Sequence, residues 1–215
     1  AVYFGVGKFT DDSSDIRRVS VTGGAPTLIE RVRARDGEMT PDGTEFWGVS
    51  GKFPDLTLVH IPLGSHQVHH VMREPGPVMN PAIGRDGRIA VARVDSTRDM
   101  QVWLFDNGTL HQLTHFAAND GRPQWPSWSP DGTVLAVQAG VYDRNHPESN
   151  TAHIWLVDAA TGTARKLAAH DAPYLDETPS FFPDGRRIAF QSNRTGRMEV
   201  WVMNVDGSGA RQITR

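Results

Sequence analysis

W-P-S-W-S-P-D-G, Trp125 to Gly132, ends in a turn and is followed by the apolar run T-V-L-A-V, Thr133 to Val137. Pro130 pre-sets φ for a turn position, Asp131 can bond its own backbone, and Gly132 tolerates positive φ. The segment therefore reads as a strand, a tight turn and a return strand. The arrangement recurs. Pro183-Asp184-Gly185 leads into R-R-I-A-F, Asp86-Gly87 into R-I-A-V-A, and Pro41-Asp42-Gly43 into T-E-F-W-G-V. The turn aspartates stand 44, 45 and 53 residues apart, and the last step contains an insertion. Repeats of this length built from short strands point to β-propeller blades, because helical repeats would show a 3.6-residue pattern, absent here.

Each repeat divides into four strands, a to d. The last gives Glu177 to Phe182, Arg187 to Gln191, Glu199 to Asn204 and Ala210 to Thr214. The one before gives Gln124 to Ser129, Val134 to Gln138, His153 to Val157 and Ala164 to Ala168. The third gives Val78 to Ile83, Arg88 to Arg93, Gln101 to Phe105 and Leu110 to His115. The second gives Gly37 to Thr40, Glu45 to Val49, Leu56 to Ile61 and His66 to Met72. Residues 1–35 fit the template without its first strand: Val2 to Val6, Asp15 to Val21 and Ala25 to Glu30. One all-β propeller domain over 1–215 is expected, its blades at 1–35, 36–76, 77–121, 122–174 and 175–215. Four blades are complete and the first is three-stranded. Three readings follow: a five-bladed ring with a thin first blade, a segment of a longer propeller, or a ring completed by a second copy. An exposed blade edge would be a liability, and the quaternary expectation is a monomer or a ring-completing homodimer.

Strand c carries Trp103 and Trp201, each 17 residues after its turn aspartate, and Trp155, 24 after, which sizes the insertion at seven. Runs such as V-W-L-F, I-W-L-V and V-W-V-M suit sheets covered on both faces. These tryptophans are expected to pack blade against blade.

Composition sets the outer bounds. The 215 residues are 38% hydrophobic and 22% charged, which is ordinary globular material. A net charge of −3 argues against a nucleic-acid binder working through phosphate contacts. Without cysteine there is no disulfide or Cys-bound zinc. No apolar run approaches the ~20 residues of a membrane span, and Ala1 to Phe4 reads as a strand rather than a leader.

The strand pair Pro126 to Ala136, the I-W-x-x-D-x-x-x-G of Ile154 to Gly162, Arg165 to Leu167, and again Pro179 to Thr214 together resemble TolB-type propeller repeats. The repeat type is shared with propellers of prolyl-oligopeptidase-like and Tricorn-like proteases and of oligogalacturonate-lyase-like enzymes. The resemblance covers nearly the whole chain, most closely in its last two repeats. It implies a propeller that binds a protein or peptide, in the periplasm or outside the cell.

Function belongs to a site grafted on the fold. The P-D-G turns look structural, while the opposite end of the strands carries the irregular loops 116–123, 139–152 and 170–176, where binding usually sits. Strand a should line the channel, so the residues before its proline should face the entrance: Asn80, Trp125 and Thr178, with Asp36 at the equivalent place. With Asp120, Arg122, Gln124, Tyr142, Asp176 and Glu177 they make a polar funnel suited to a peptide, sugar or cation. A structural calcium held by Asp36, Asp176 or Glu177 is compatible with hard oxygen ligands, though no spacing demands it. No catalytic residues and no cofactor are assigned, because G-x-S-x-G, H-E-x-x-H and P-loop motifs are missing. His66, His69 and His70 lie on an outer strand and read as surface residues. The leading expectation is a non-enzymatic binding or scaffold module. The alternatives are the gating or substrate-platform part of a hydrolase or polysaccharide lyase, and a purely structural repeat segment.

Overall fold

The computed structural model describes residues 2–6, 14–52, 54–65, 67–71, 77–167 and 174–215. Every regular element is a strand apart from one 3₁₀ turn, Pro147–Ser149. The first sheet is three-stranded: β1 (Val2–Val6), β2 (Ser14–Val19) and β3 (Thr27–Val32). The second holds β4 (Arg35–Met39), β5 (Glu45–Lys52), β6 (Asp55–Pro62) and β7 (His69–His70). The third runs β8 (Val78–Ile83), β9 (Ile89–Val94), β10 (Met100–Asp106) and β11 (Thr109–Gln112). The fourth holds β12 (Arg122–Trp128), β13 (Val134–Val141), β14 (Thr151–Asp158) and β15 (Ala164–Lys166). The fifth holds β16 (Asp176–Phe181), β17 (Arg187–Ser192), β18 (Glu199–Asn204) and β19 (Arg211–Gln212). Strands follow chain order within each sheet, the up-and-down pattern of propeller blades. The chain divides into two compact units, residues 1–83 and 84–215.

The turn chemistry repeats as the sequence requires. In each turn the aspartate Oδ1 accepts the backbone N–H two residues on: Thr44 to Asp42 (3.1 Å), Arg88 to Asp86 (3.1 Å), Thr133 to Asp131 (3.1 Å) and Arg186 to Asp184 (2.9 Å). The glycine takes φ of 73°, 85°, 72° and 67° at 43, 87, 132 and 185. Its N–H closes the turn on the carbonyl three residues back, at 2.8–3.0 Å. These bonds hold the Asp42, Asp131 and Asp184 carboxyls below the usual carboxylate range. The leading donors are the Thr40 hydroxyl, the Ser129 hydroxyl and the Arg186 amide respectively.

Each unit has its own core. In the first, Ile16, Val32, Ala34, Phe46, Val59 and Ile61 cluster between the first two sheets. In the second, Ala136, Ile154, Leu156 and Leu167 of the fourth sheet meet Ile188, Phe190, Trp201 and Met203 of the fifth. Trp201 is at the inter-sheet contact expected of it. Trp128 is also buried, with the Arg88 guanidinium 4.7 Å from its ring centroid and the same side chain donating to the Gly132 carbonyl at 2.6 Å.

Strands b and c are buried on both faces in the fourth sheet, where β13 is closed over Leu135 to Gly140. The fifth sheet departs from that expectation. Its β17 alternates, with Ile188, Phe190 and Ser192 buried between more open positions, and Val200 and Ile213 are 39% and 47% exposed. Strand ends shift too. β13 runs to Val141 and β14 starts at Thr151, so the 139–152 insertion shortens to 142–150. The ladder continues because Gly140 and Val141 find partners in Ala152 and Thr151. The outer strands are shorter than read: β7, β15 and β19 have two, three and two residues. Of the expected residues, His66, Met72, Ala168 and the 170–173 part of the last link lie outside the described residues.

Candidate functional site

Four inner strands share one backbone irregularity. Asp36 in β4, Asn80 in β8, Trp125 in β12 and Thr178 in β16 take φ of 49°, 53°, 51° and 49°. Pairing slips at the same place, between Arg35 and Glu38, Gln124 and Ser127, and Glu177 and Ser180. An extra residue on one strand of an antiparallel pair is a β-bulge. The next residue is Pro81, Pro126 or Pro179 in three strands, and proline has no N–H for the ladder to lose. In β4 it is Gly37, where a Cβ would run into the Trp47 carbonyl.

The bulge turns backbone amides towards the preceding blade. Asn80 N–H donates to Asp36 Oδ2 at 2.7 Å, and Thr178 N–H to Gln138 Oε1 at 2.7 Å. Three residues further on, Ile83 N–H donates to Glu38 Oε2 (2.9 Å) and Phe181 N–H to Ser127 Oγ (3.1 Å). Each pair joins one inner strand's backbone to the sheet before it. In the fourth sheet Trp125 has no oxygen to offer, and Gln138 of β13, only 4% exposed, supplies the acceptor.

At the loop-bearing end of the second unit lies a cleft of about 640 Å³. Gly121 and Gly140 approach there backbone to backbone; Gly121 has φ 90°, and a Cβ on it would come within 2.6 Å of Gly140. Met100, Phe116 and Val141 supply apolar wall. Trp125 and Tyr142 face it as well, 42% and 43% exposed. Gln138 Nε2 donates to Tyr142 Oη at 3.2 Å, and Tyr142 donates its phenolic hydrogen to Glu177 Oε1 at 2.7 Å. Burial, then the Glu177 carboxylate that accepts the hydroxyl, push the Tyr142 phenol well above its ordinary value. Arg122 and Arg144 also line the cleft, and among the described residues neither makes an ion pair.

Six residues singled out from sequence thus meet in one concavity: Arg122, Gln124, Trp125, Tyr142, Glu177 and Thr178. Asp120 belongs to the same link but does not line the cleft; it is exposed and its N–H bonds the Ala117 carbonyl at 2.9 Å. Asp176 is turned inward and 3% exposed, held by Arg194 Nη2 at 2.8 and 2.7 Å from its two oxygens. That guanidinium lies over Trp201 at 4.8 Å and Phe190 at 5.3 Å, so Asp176 serves the packing of the fifth sheet. Asp36 and Asn80 form the amide clamp of the first unit. Asp99, Met100 and Gln138 were not anticipated, and Arg144 was covered only as part of the 139–152 loop. Gln138 had a sequence signal, a lone amide closing the apolar run V-L-A-V.

Among the described residues no group of three or more His, Cys, Asp or Glu side chains comes together to hold a metal ion. Among them, too, no helix is long and apolar enough to cross a membrane. The arrangement offers aromatic and apolar surface, two guanidinium groups without an ion pair among the described residues, and a carboxylate fixed by a phenol. Those are groups for holding a ligand.

Comparison with known proteins agrees with this architecture. The chain is 34% identical over 93 residues to an uncharacterized protein of Agrobacterium fabrum, a match covering 42% of this chain and 28% of that one. It is 36% identical over 89 residues to the Tol-Pal system protein TolB of Anaeromyxobacter dehalogenans, covering 41% of this chain and 18% of that one. The matches thus span under a third of those relatives' length. The crystal structure of TolB from Acinetobacter baumannii superposes with a TM-score of 0.74 at 20% identity, over 99% of this chain and 51% of that one. The family model described as the TolB beta propeller domain matches residues 57–215. This β-propeller chain belongs to the TolB beta propeller domain family.

Proposed function

We propose that this chain is a binding module that recognises a protein or peptide through the loop-bearing end of β12, β13 and β16. The observation that carries the reading is the convergence of Trp125, Val141 and Tyr142, all large and exposed, in one concave site. Exposed apolar groups gathered in a cleft and rimmed by charge are a signature of recognition surfaces. The cleft is also pre-formed. The Thr178–Gln138–Tyr142–Glu177 chain fixes its aromatic and acidic members before any ligand arrives, which lowers the entropy cost of binding. The similarity to a Tol-Pal system protein supports a protein partner and a periplasmic or extracellular location.

The test is site-directed photo-crosslinking. A photoreactive residue at Trp125 is compared with one at Arg186, an exposed residue of the P-D-G turn that does not line the cleft. A partner captured from Trp125 alone is then purified and titrated by calorimetry against Trp125→Ala and Tyr142→Ala. Weakening in both variants supports the assignment. A partner that binds both variants as tightly as the parent removes the cleft from the function.

A further inference from the structure

We propose that the cleft takes a peptide segment in which a carboxylate stands beside an aromatic or large aliphatic side chain; this rests on the binding role given to the cleft above. The first observation is Trp125 itself. Its bulge position recurs in three other inner strands, filled there by Asp36, Asn80 and Thr178. Short polar residues tolerate positive φ far better than bulky ones. A tryptophan there is strained, and the bond that Asp36 makes to the amide of the next inner strand is made here by Gln138 instead. Among the described residues the indole makes no hydrogen bond or ring contact, and it is the exposed one of the six tryptophans. Strain kept at one copy of a repeated position, with an aromatic face turned to a cleft, marks a contact surface for a ligand.

The second observation is charge. Arg88, Arg187 and Arg194 of the same unit all hold carboxylates at 2.7 Å. Arg122 and Arg144 hold none among the described residues, although Glu177 and Asp99 line the same cleft. Glu177 is engaged by the Tyr142 hydroxyl, and Asp99 Oδ2 lies 3.4 Å from the Thr97 hydroxyl, whose hydrogen goes to Asp95 Oδ1 at 2.6 Å. Two guanidinium groups without a carboxylate among the described residues, beside an open indole, suit a ligand carboxylate, which arginine binds in a two-pronged, charge-assisted way. The wall of Met100, Phe116 and Val141 suits an apolar neighbour. A polyhydroxylated chain such as an oligouronide would leave hydroxyls unpaired against that wall, so the peptide is favoured.

The probe is a phage-displayed library of random decapeptides, panned on the parent protein and on Arg122→Ala/Arg144→Ala. Panning on the parent should enrich Asp or Glu adjacent to Trp, Phe, Tyr or Leu, and the acidic enrichment should vanish on the double variant. A synthetic peptide from the enriched pool, labelled for fluorescence anisotropy, should lose about tenfold in affinity when its acid is changed to the amide. That ratio should fall to about one on the double variant. Trp125→Ala should weaken acid and amide peptides alike. Enrichment without acidic residues, or acidic enrichment that survives the double substitution, overturns the inference while leaving the cleft a peptide site. Oligogalacturonate binding that is lost in the same variants, with no peptide enriched, overturns both the inference and the peptide reading. Circular dichroism of each variant shows whether the fold is retained, and Arg122→Lys/Arg144→Lys, which keeps charge but not the fork, should restore part of the acid preference.

Discussion

Replacing Gln138 by alanine would cut a side chain that serves both the fold and the cleft. Gln138 is 4% exposed, accepts the Thr178 amide at 2.7 Å and donates to Tyr142 at 3.2 Å. Leaving an amide without its acceptor costs roughly 1–3 kcal/mol where water cannot replace it. Thr178 is only half-buried, so the lower part of that range applies. The Tyr142 bond adds about 0.5–1.5 kcal/mol, and the void adds a smaller amount. The total is about 2–3 kcal/mol, which at a urea m-value of roughly 1–3 kcal/mol/M lowers the midpoint by about 1 M. Hydrogen exchange gives the local readout: the Thr178 amide should exchange faster in Gln138→Ala, while amides in the β17–β18 ladder keep their order of protection. Gln138→Glu retains an acceptor for Thr178 and should lose less. A midpoint unchanged by the alanine, or a Thr178 amide equally protected in both proteins, would show that this inter-blade bond does not carry the stability assigned to it.

Four other outcomes are expected. The indole N–H groups of Trp103, Trp155 and Trp201 are buried without a hydrogen-bond partner, so each Trp→Phe change should cost about 1 kcal/mol, against about 3–5 for Trp→Ala, in thermal unfolding. Asp42, Asp131 and Asp184 have lowered pKa values, so their contribution is present above the unfolded value near ~4 and lost as pH falls through the folded values. Urea unfolding between pH 5 and 2 should therefore show falling stability, with a shallower slope for Asp131→Asn. Tyr142 has a raised pKa, so its contribution is intact below the ordinary tyrosine value of ~10 and lost as pH rises beyond it; in an ultraviolet titration, phenolate absorbance that is missing from Tyr142→Phe should appear only above the ordinary tyrosine range. Removing the buried partner of Arg194 by Asp176→Ala should destabilise the second unit by about 3–5 kcal/mol, read by urea unfolding.

The turns, the repeat length and the register of the blades were legible because they depend on local chemistry: a turn needs its Asp and Gly wherever it sits. The equivalence of Asp36, Asn80, Trp125 and Thr178 was legible for the same reason. Their left-handed backbone was not. A residue before proline is ordinarily pushed to extended geometry, so Asn-Pro, Trp-Pro and Thr-Pro point away from what the bulge imposes. Only pairing with the next strand and the pull of the Asp36 and Gln138 oxygens on the freed amides account for it. Asp176 was misplaced for a related reason. It sits in a polar stretch beside a loop, and its partner Arg194 is 18 residues away. The cleft's Met100 starts β10 of the third sheet and Asp99 ends the loop before it, which no spacing within the fourth repeat foretells.

The bulge on each inner strand behaves as a socket. Its backbone shape is the same whether the plug is an aspartate, an asparagine, a tryptophan or a threonine. The plug can therefore be exchanged without rebuilding the blade, and where it is Trp125 the oxygen for the following amide comes from Gln138. New recognition surfaces can then be made by paired substitution at two positions: a glutamine on strand b to take over the bond, and any chosen side chain in the socket.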